Sequence, residues 1–299
     1  MSSFPSSPGA RYYQPSGITS PVGPVLMFVF GGAVAATLGL VYGFISWHNP
    51  LIYINALGCL AMAAFAGMAA GWGVKLGHVR APALAALIGL VIGLIAIFAA
   101  WIGWMRALTG DVVGQGAWMT DPMTLWNEAM ALTEQGVWSV FNVTPRGSGL
   151  LTLWGIEATA IIVVATAVSW YESMQPFCER CQRWADDYGE PAKLRDRGNA
   201  DMLKSLLEQG DLQCLVALGP IDSSDDCWIE ARVRACPQCE RIGYLDLNAV
   251  RREFDEHGNE REVKRVLVEW LIVAGDEFVI AKSLIDGEAW RTHAQQFAA

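Results

Sequence analysis

The sequence predicts a polytopic α-helical membrane bundle of four transmembrane helices, followed by a soluble α+β domain with a four-cysteine site on an antiparallel sheet. Three observations predict it: four long runs almost free of charge before residue 172, an abrupt change to charged sequence after them, and two Cys-x-x-Cys pairs beyond that change.

Of 299 residues, 53% are hydrophobic and only 17% charged, and the mean hydropathy is +0.29, too apolar for an ordinary water-solvated chain. Residues 1–170 hold five basic side chains (Arg11, Lys75, Arg80, Arg106, Arg146) and five acidic ones (Asp111, Asp121, Glu128, Glu134, Glu157). The other 16 basic and 25 acidic residues follow Trp170, so the net charge of -9 belongs to the tail. The split predicts one half solvated by lipid and one by water. Residues 1–24 are rich in Ser, Pro and Gly and read as a disordered lead without the features of a signal peptide.

The spans are about 25–47, 51–74, 82–105 and 150–171, the first three uncharged and the fourth carrying only Glu157. Each is long enough for a helix to cross a hydrocarbon core, which takes about 20 residues. They define a transmembrane domain over 25–171. The short connection after the second span is basic (Lys75, His78, Arg80), whereas the connection over 107–149 carries Asp111, Asp121, Glu128 and Glu134 against Arg146. Basic flanks stay in the cytosol. Both termini are therefore expected there, in a cytoplasmic or bacterial inner membrane. Trp47, Trp104, Trp118, Trp126, Trp138 and Trp154 then fall at or beyond the outer boundary, where an indole keeps its ring apolar and its N–H wet.

Gly39/Gly43, Gly67/Gly71 and Gly89/Gly93 are spaced by one helical turn. Small residues so placed let helix backbones approach closely, either within a compact bundle or at the face of a homo-oligomer. In the outer connection, Asp121 and Pro122 make a good helix start, and the amphipathic segment up to Gln135 is expected to cap the bundle or lie on the outer leaflet.

Glu157 is the one charge inside a span. An ionisable residue there is costly and is by default a candidate for function. Pairing with Arg106 is the expected outcome. A protonated carboxyl bonded to Thr37 or Asn55, or proton or cation coupling, are the other readings.

Residues 172–299 form the expected cytosolic domain. Cys178-Glu-Arg-Cys181 and Cys236-Pro-Gln-Cys239 carry four thiols, and a two-residue gap lets a tight turn aim both sulfurs of a pair at one ion. Each pair resembles a zinc knuckle as found in zinc ribbons. That resemblance implies zinc held by Cys178, Cys181, Cys236 and Cys239 in a zinc-ribbon-like site. Positions 182–235 between the pairs exceed the usual ribbon spacing and imply a folded insertion. Within it a helix is expected over 201–209, a strand over 212–218 and a second strand alternating Ile229, Ala231, Val233 and Ala235 with charged residues. Further strands follow, with a turn at 257–259, and 283–299 is expected to end in helix. Cys214 and Cys227 read as inert thiols.

A net charge of -9 opposes phosphate contact, which makes nucleic-acid binding a poor reading. Four cysteines close a zinc shell, leaving no open position for catalysis. No Gly-rich phosphate loop, Gly-x-Ser-x-Gly elbow or His-Glu-x-x-His is present. The expectation is a non-enzymatic membrane protein whose zinc-stabilised domain docks or regulates a protein partner. The alternative is a small-solute or ion-handling protein that uses Glu157.

Overall fold

In the computed structural model, residues 11–288 are described except 50, 114–117, 138, 140–142, 223–224, 240 and 257–258; for 52 and 111–113 only the backbone is described. Trp138 and most of the expected terminal helix over 283–299 therefore lie outside the described residues. The chain divides into two compact units, Pro15–Met174 and a second made of Met1–Gln14 with Gln175–Ala299.

Among the described residues the first unit holds five helices: α1 (Gly23–His48), α2 (Ile52–Gly77), α3 (Pro82–Val113), α4 (Pro122–Gln135) and α5 (Ser148–Met174). All but α4 are long and apolar enough to cross a membrane. They overrun the sequence-derived spans by a turn or less, except α3, which continues to Val113. Helix α1 packs on α2 and α3, and α5 packs on the same two, so α1 and α5 face each other across the diagonal.

The glycine pairs make these contacts. A side chain at Gly39 or Gly43 would strike the α3 backbone at Ala96 or Ala100; at Gly67 and Gly71 it would press on Val164, Val168 and Glu172 of α5, and at Gly89 and Gly93 on Ala165, Ser169 and Ile162. All three pairs are thus taken up inside the chain. Large apolar side chains such as Phe44, Leu57, Leu87 and Val163 point outward, the reverse of a water-solvated bundle. Helix α4 begins as expected, with Asp121 accepting a 2.7 Å bond from the Thr124 N–H.

The second unit contains β1 (Phe177–Cys178), β2 (Arg183–Trp184), β3 (Asp186–Asp187), β4 (Ala192–Arg195), α6 (Ala200–Glu208), α7 (Gln213–Leu218), β5 (Cys227–Ala235), β6 (Ile242–Phe254), β7 (Glu260–Ala274) and α8 (Asp276–Ile285). Strands β1 and β2 form a small hairpin; β3, β5, β6 and β7 run in that order in an antiparallel sheet, with β4 also paired to β5. Leu203, Leu207, Leu215, Phe278 and Leu284 from the helices, with Leu212 just before α7, cover the sheet face made by Ile229, Val233, Leu245 and Leu271.

One local expectation is corrected. The run over 212–218 is helical, not a strand: Asp211 accepts the Gln213 N–H at 3.0 Å, and Leu215 enters the core from α7. A short apolar run carries no period of its own, so packing decided it. Helix α8 covers Asp276–Ile285 and follows Gly275, whose positive φ of 61° ends β7; the helix expected over 283–299 lies for the most part outside the described residues.

The lead is also built differently from a disordered segment over all of 1–24, since Arg11–Gln14 belongs to the second unit. Tyr12 forms an antiparallel bridge to Leu271, the Tyr13 N–H donates to the Trp270 carbonyl at 2.9 Å, and Arg11 donates to both carboxylate oxygens of Glu277 at 2.5 Å. Pairing between β6 and β7 slips at Leu247. Trp270 adopts a left-handed φ of 55°, and its N–H turns to Asp246 at 2.7 Å. This bulge frees the Trp270 carbonyl for Tyr13.

Candidate metal centre

The two Cys-x-x-Cys pairs reach one point through strand register. Cys178 ends β1, opposite Arg183 of β2, and the turn between them is closed by Gln182, with φ of 52° and its side-chain amide bonded to the Glu179 carbonyl at 2.7 Å. The chain then runs directly into β3, where Asp186 pairs with Ala235 at the end of β5. Cys236 is the next residue, and the second pair forms the turn between β5 and β6. The insertion over 182–235 folds as β2, β3, β4, α6, α7 and β5 and returns the chain to its starting point.

The four Sγ atoms lie within 4.8 Å of one another, with Cys178 and Cys239 at 3.8 Å. A tetrahedral site with metal–sulfur bonds of about 2.3 Å has sulfurs about 3.8 Å apart. The four cysteines could therefore hold a metal ion with little movement. All seven cysteines are free thiols. Cys178 and Cys236 are buried, while Cys181 and Cys239 are half-buried. Tyr244 packs behind the site and donates to the Phe177 carbonyl at 3.3 Å; Phe177 meets Trp184 edge to face.

The thiols are unequal. Burial, with the neighbouring thiols of Cys239, Cys236 and Cys178, pushes Cys181 up to about 12. Burial also raises Cys178. At Cys236 burial again acts upward, but the backbone N–H groups of Cys239 and Gln238 and the thiols of Cys178 and Cys181 outweigh it and bring the group down to about 7. N–H groups aimed at one sulfur are what a bound thiolate needs. Cys214 and Cys227 stand outside the cluster. Cys214 is on α7, its thiol 2.8 Å from the Asp211 carbonyl.

Glu157 and Arg106 are not brought together. The Tyr42 hydroxyl of α1 donates to the Glu157 carboxylate of α5, across the bundle diagonal, and Cys59 of α2 lies 3.9 Å from the Glu157 carbonyl. The Arg106 guanidinium instead sits over the Trp118 ring, 5.4 Å from its centroid. The Thr37 hydroxyl donates back to the Ala33 carbonyl and the Asn55 amide donates to the Ser46 and Asn49 carbonyls, so neither serves Glu157. Sequence reasoning missed Tyr42, although a hydroxyl about two turns inside the same end as Glu157 was the available signal.

Compared with protein-family models, with curated proteins and with solved structures, the chain matches none.

Proposed function

We propose that this is a non-enzymatic integral membrane protein whose zinc-stabilised cytosolic domain docks or regulates a protein partner. The carrying observation is the closed set of four thiols, Cys178, Cys181, Cys236 and Cys239, within 4.8 Å of one another. Four sulfurs suit zinc and leave no coordination position for substrate, which favours a structural ion over a catalytic one. Bound there, zinc would clamp the β1–β2 hairpin to the β5–β6 turn; β3 pairing sets the approach and Tyr244 excludes water from behind. The tail's charge of -9 favours a basic partner face and disfavours nucleic acid.

Cytosolic placement of the tail rests on the basic connection. Lys75 pairs with Glu172 near the end of α5, at 3.2 Å, so this connection shares an end of the bundle with the exit toward the tail. Four spans return the chain to the side where it began, and Arg11–Gln14 folding with the tail agrees with that.

Full-length protein purified with its metal should hold about one zinc per chain, and less than about half would overturn the reading. Affinity purification from native membranes, with the captured protein identified by mass, tests the docking role. A second reading, small-solute or ion handling, is favoured by Tyr42 meeting Glu157 inside the bundle. Glu157→Gln should leave zinc content and partner capture intact under the first reading, and should abolish proton or cation flux in proteoliposomes under the second.

A further inference from the structure

We infer that the groove between α1 and α3 binds an anionic phospholipid, with the lipid phosphate on Arg106. The groove has a volume of about 230 Å³, is lined by Val41, Phe44 and Ile45 of α1 and by Gly103 of α3, and carries Arg106 and Trp118 at its rim. Its floor is a close crossing, since a side chain at Gly103 would strike the Leu40 carbonyl. Phe44 and Ile45 are 48% and 58% exposed, so the trough opens outward from the bundle. An apolar trough on the outer surface of spanning helices suits an acyl chain.

The rim selects the headgroup. Trp47 meets Trp104, and Trp101 meets Trp104 and Trp154, all edge to face at this end of the bundle. Such a tryptophan belt marks the depth of the lipid headgroups. Arg106 lies there, and among the described residues its guanidinium forms no ion pair with a carboxylate; its partner is the Trp118 ring. A cation–π contact with an indole uses no N–H donor, so the guanidinium keeps its N–H groups to donate, and their fork geometry matches two phosphate oxygens. A zwitterionic headgroup brings its own ammonium to the same phosphate and gains less from the arginine. The occupant that satisfies both parts is a phospholipid of net negative charge.

This inference rests on the membrane-spanning reading and is independent of partner docking. The test is intact mass measurement of the full-length protein in detergent, offered phosphatidylglycerol and phosphatidylcholine at equal concentration. Wild type should retain phosphatidylglycerol about fivefold over phosphatidylcholine, the scale of one exposed charged contact. Arg106→Gln should abolish that preference, and Ile45→Trp, filling the trough from an exposed position, should lower occupancy by both lipids. Equal retention by wild type, or an unchanged preference in Arg106→Gln, would overturn the site. Alkaline carbonate extraction separates the two failures. Protein that stays in the membrane pellet without lipid preference sinks the lipid site alone; protein released to the supernatant sinks the membrane reading as well.

Discussion

Asp186 pairs with Ala235, one residue before Cys236, and this register carries the first cysteine pair onto the second. Positions 182–235 between the pairs therefore do not separate them in space. The ends of that insertion are held side by side by the pairing of β3 with β5.

Cys236→Ser should remove metal and unfold the second unit. Structural zinc binds small peptides with about 10–16 kcal/mol at neutral pH, comparable to the whole stability of about 5–15 kcal/mol for an ordinary domain. Cys214→Ser and Cys227→Ser should leave the stoichiometry unchanged, because both residues lie outside the cluster. Zinc per chain by elemental analysis, with circular dichroism of each variant, checks this; metal loss in Cys214→Ser would contradict the assignment.

Metal affinity should fall with acid, more steeply below pH 7 than above it. Binding takes thiolates, so each thiol still protonated must release its proton. Cys178 is raised and Cys181 is pushed up to about 12, so both release protons throughout the neutral range. Cys236, at about 7, adds a further proton only below that pH. Titration calorimetry in buffers of differing ionisation enthalpy counts the protons, and a pH-independent affinity would exclude thiolate ligation.

Arg11→Ala should detach the N-terminal segment from the sheet. The guanidinium bonds Glu277 at 2.5 Å and the Leu207 carbonyl at 2.9 Å. A loss of about 1–3 kcal/mol is expected from partly buried, charge-assisted bonds. Hydrogen exchange at the Tyr13 amide, which donates to Trp270, should accelerate, while exchange at Leu245 in the sheet should not.

Gly43→Ala and Gly155→Ala should differ in sign. At Gly43 the new methyl would meet the Ala100 carbonyl and force α1 from α3, whereas at Gly155 nothing stands within 4 Å. The first should cost on the order of 2 kcal/mol and the second should gain up to about 1 kcal/mol. Thermal unfolding in detergent reads both.

The four long helices and the identity of the four clustered cysteines were legible in the sequence alone, and the reason is physical. A run of over 20 residues with at most one charge is long and apolar enough for a spanning helix, and two-residue spacing aims a thiol pair by local turn geometry. Helix α4 was legible in the same way, through Asp121 and Pro122. What only the tertiary structure decided depended on contacts far apart in sequence. Residues 212–218 became helix because the core accepted Leu215 from that side, and Arg11–Gln14 was ordered by a bulge at Trp270. Glu157 took Tyr42 and not Arg106, because the Tyr42 hydroxyl reaches across the bundle from α1 while the Arg106 guanidinium turns to the Trp118 ring. Charge and period are written in each segment, but the choice of partner for a buried polar group is made by the packing of segments that carry no record of one another.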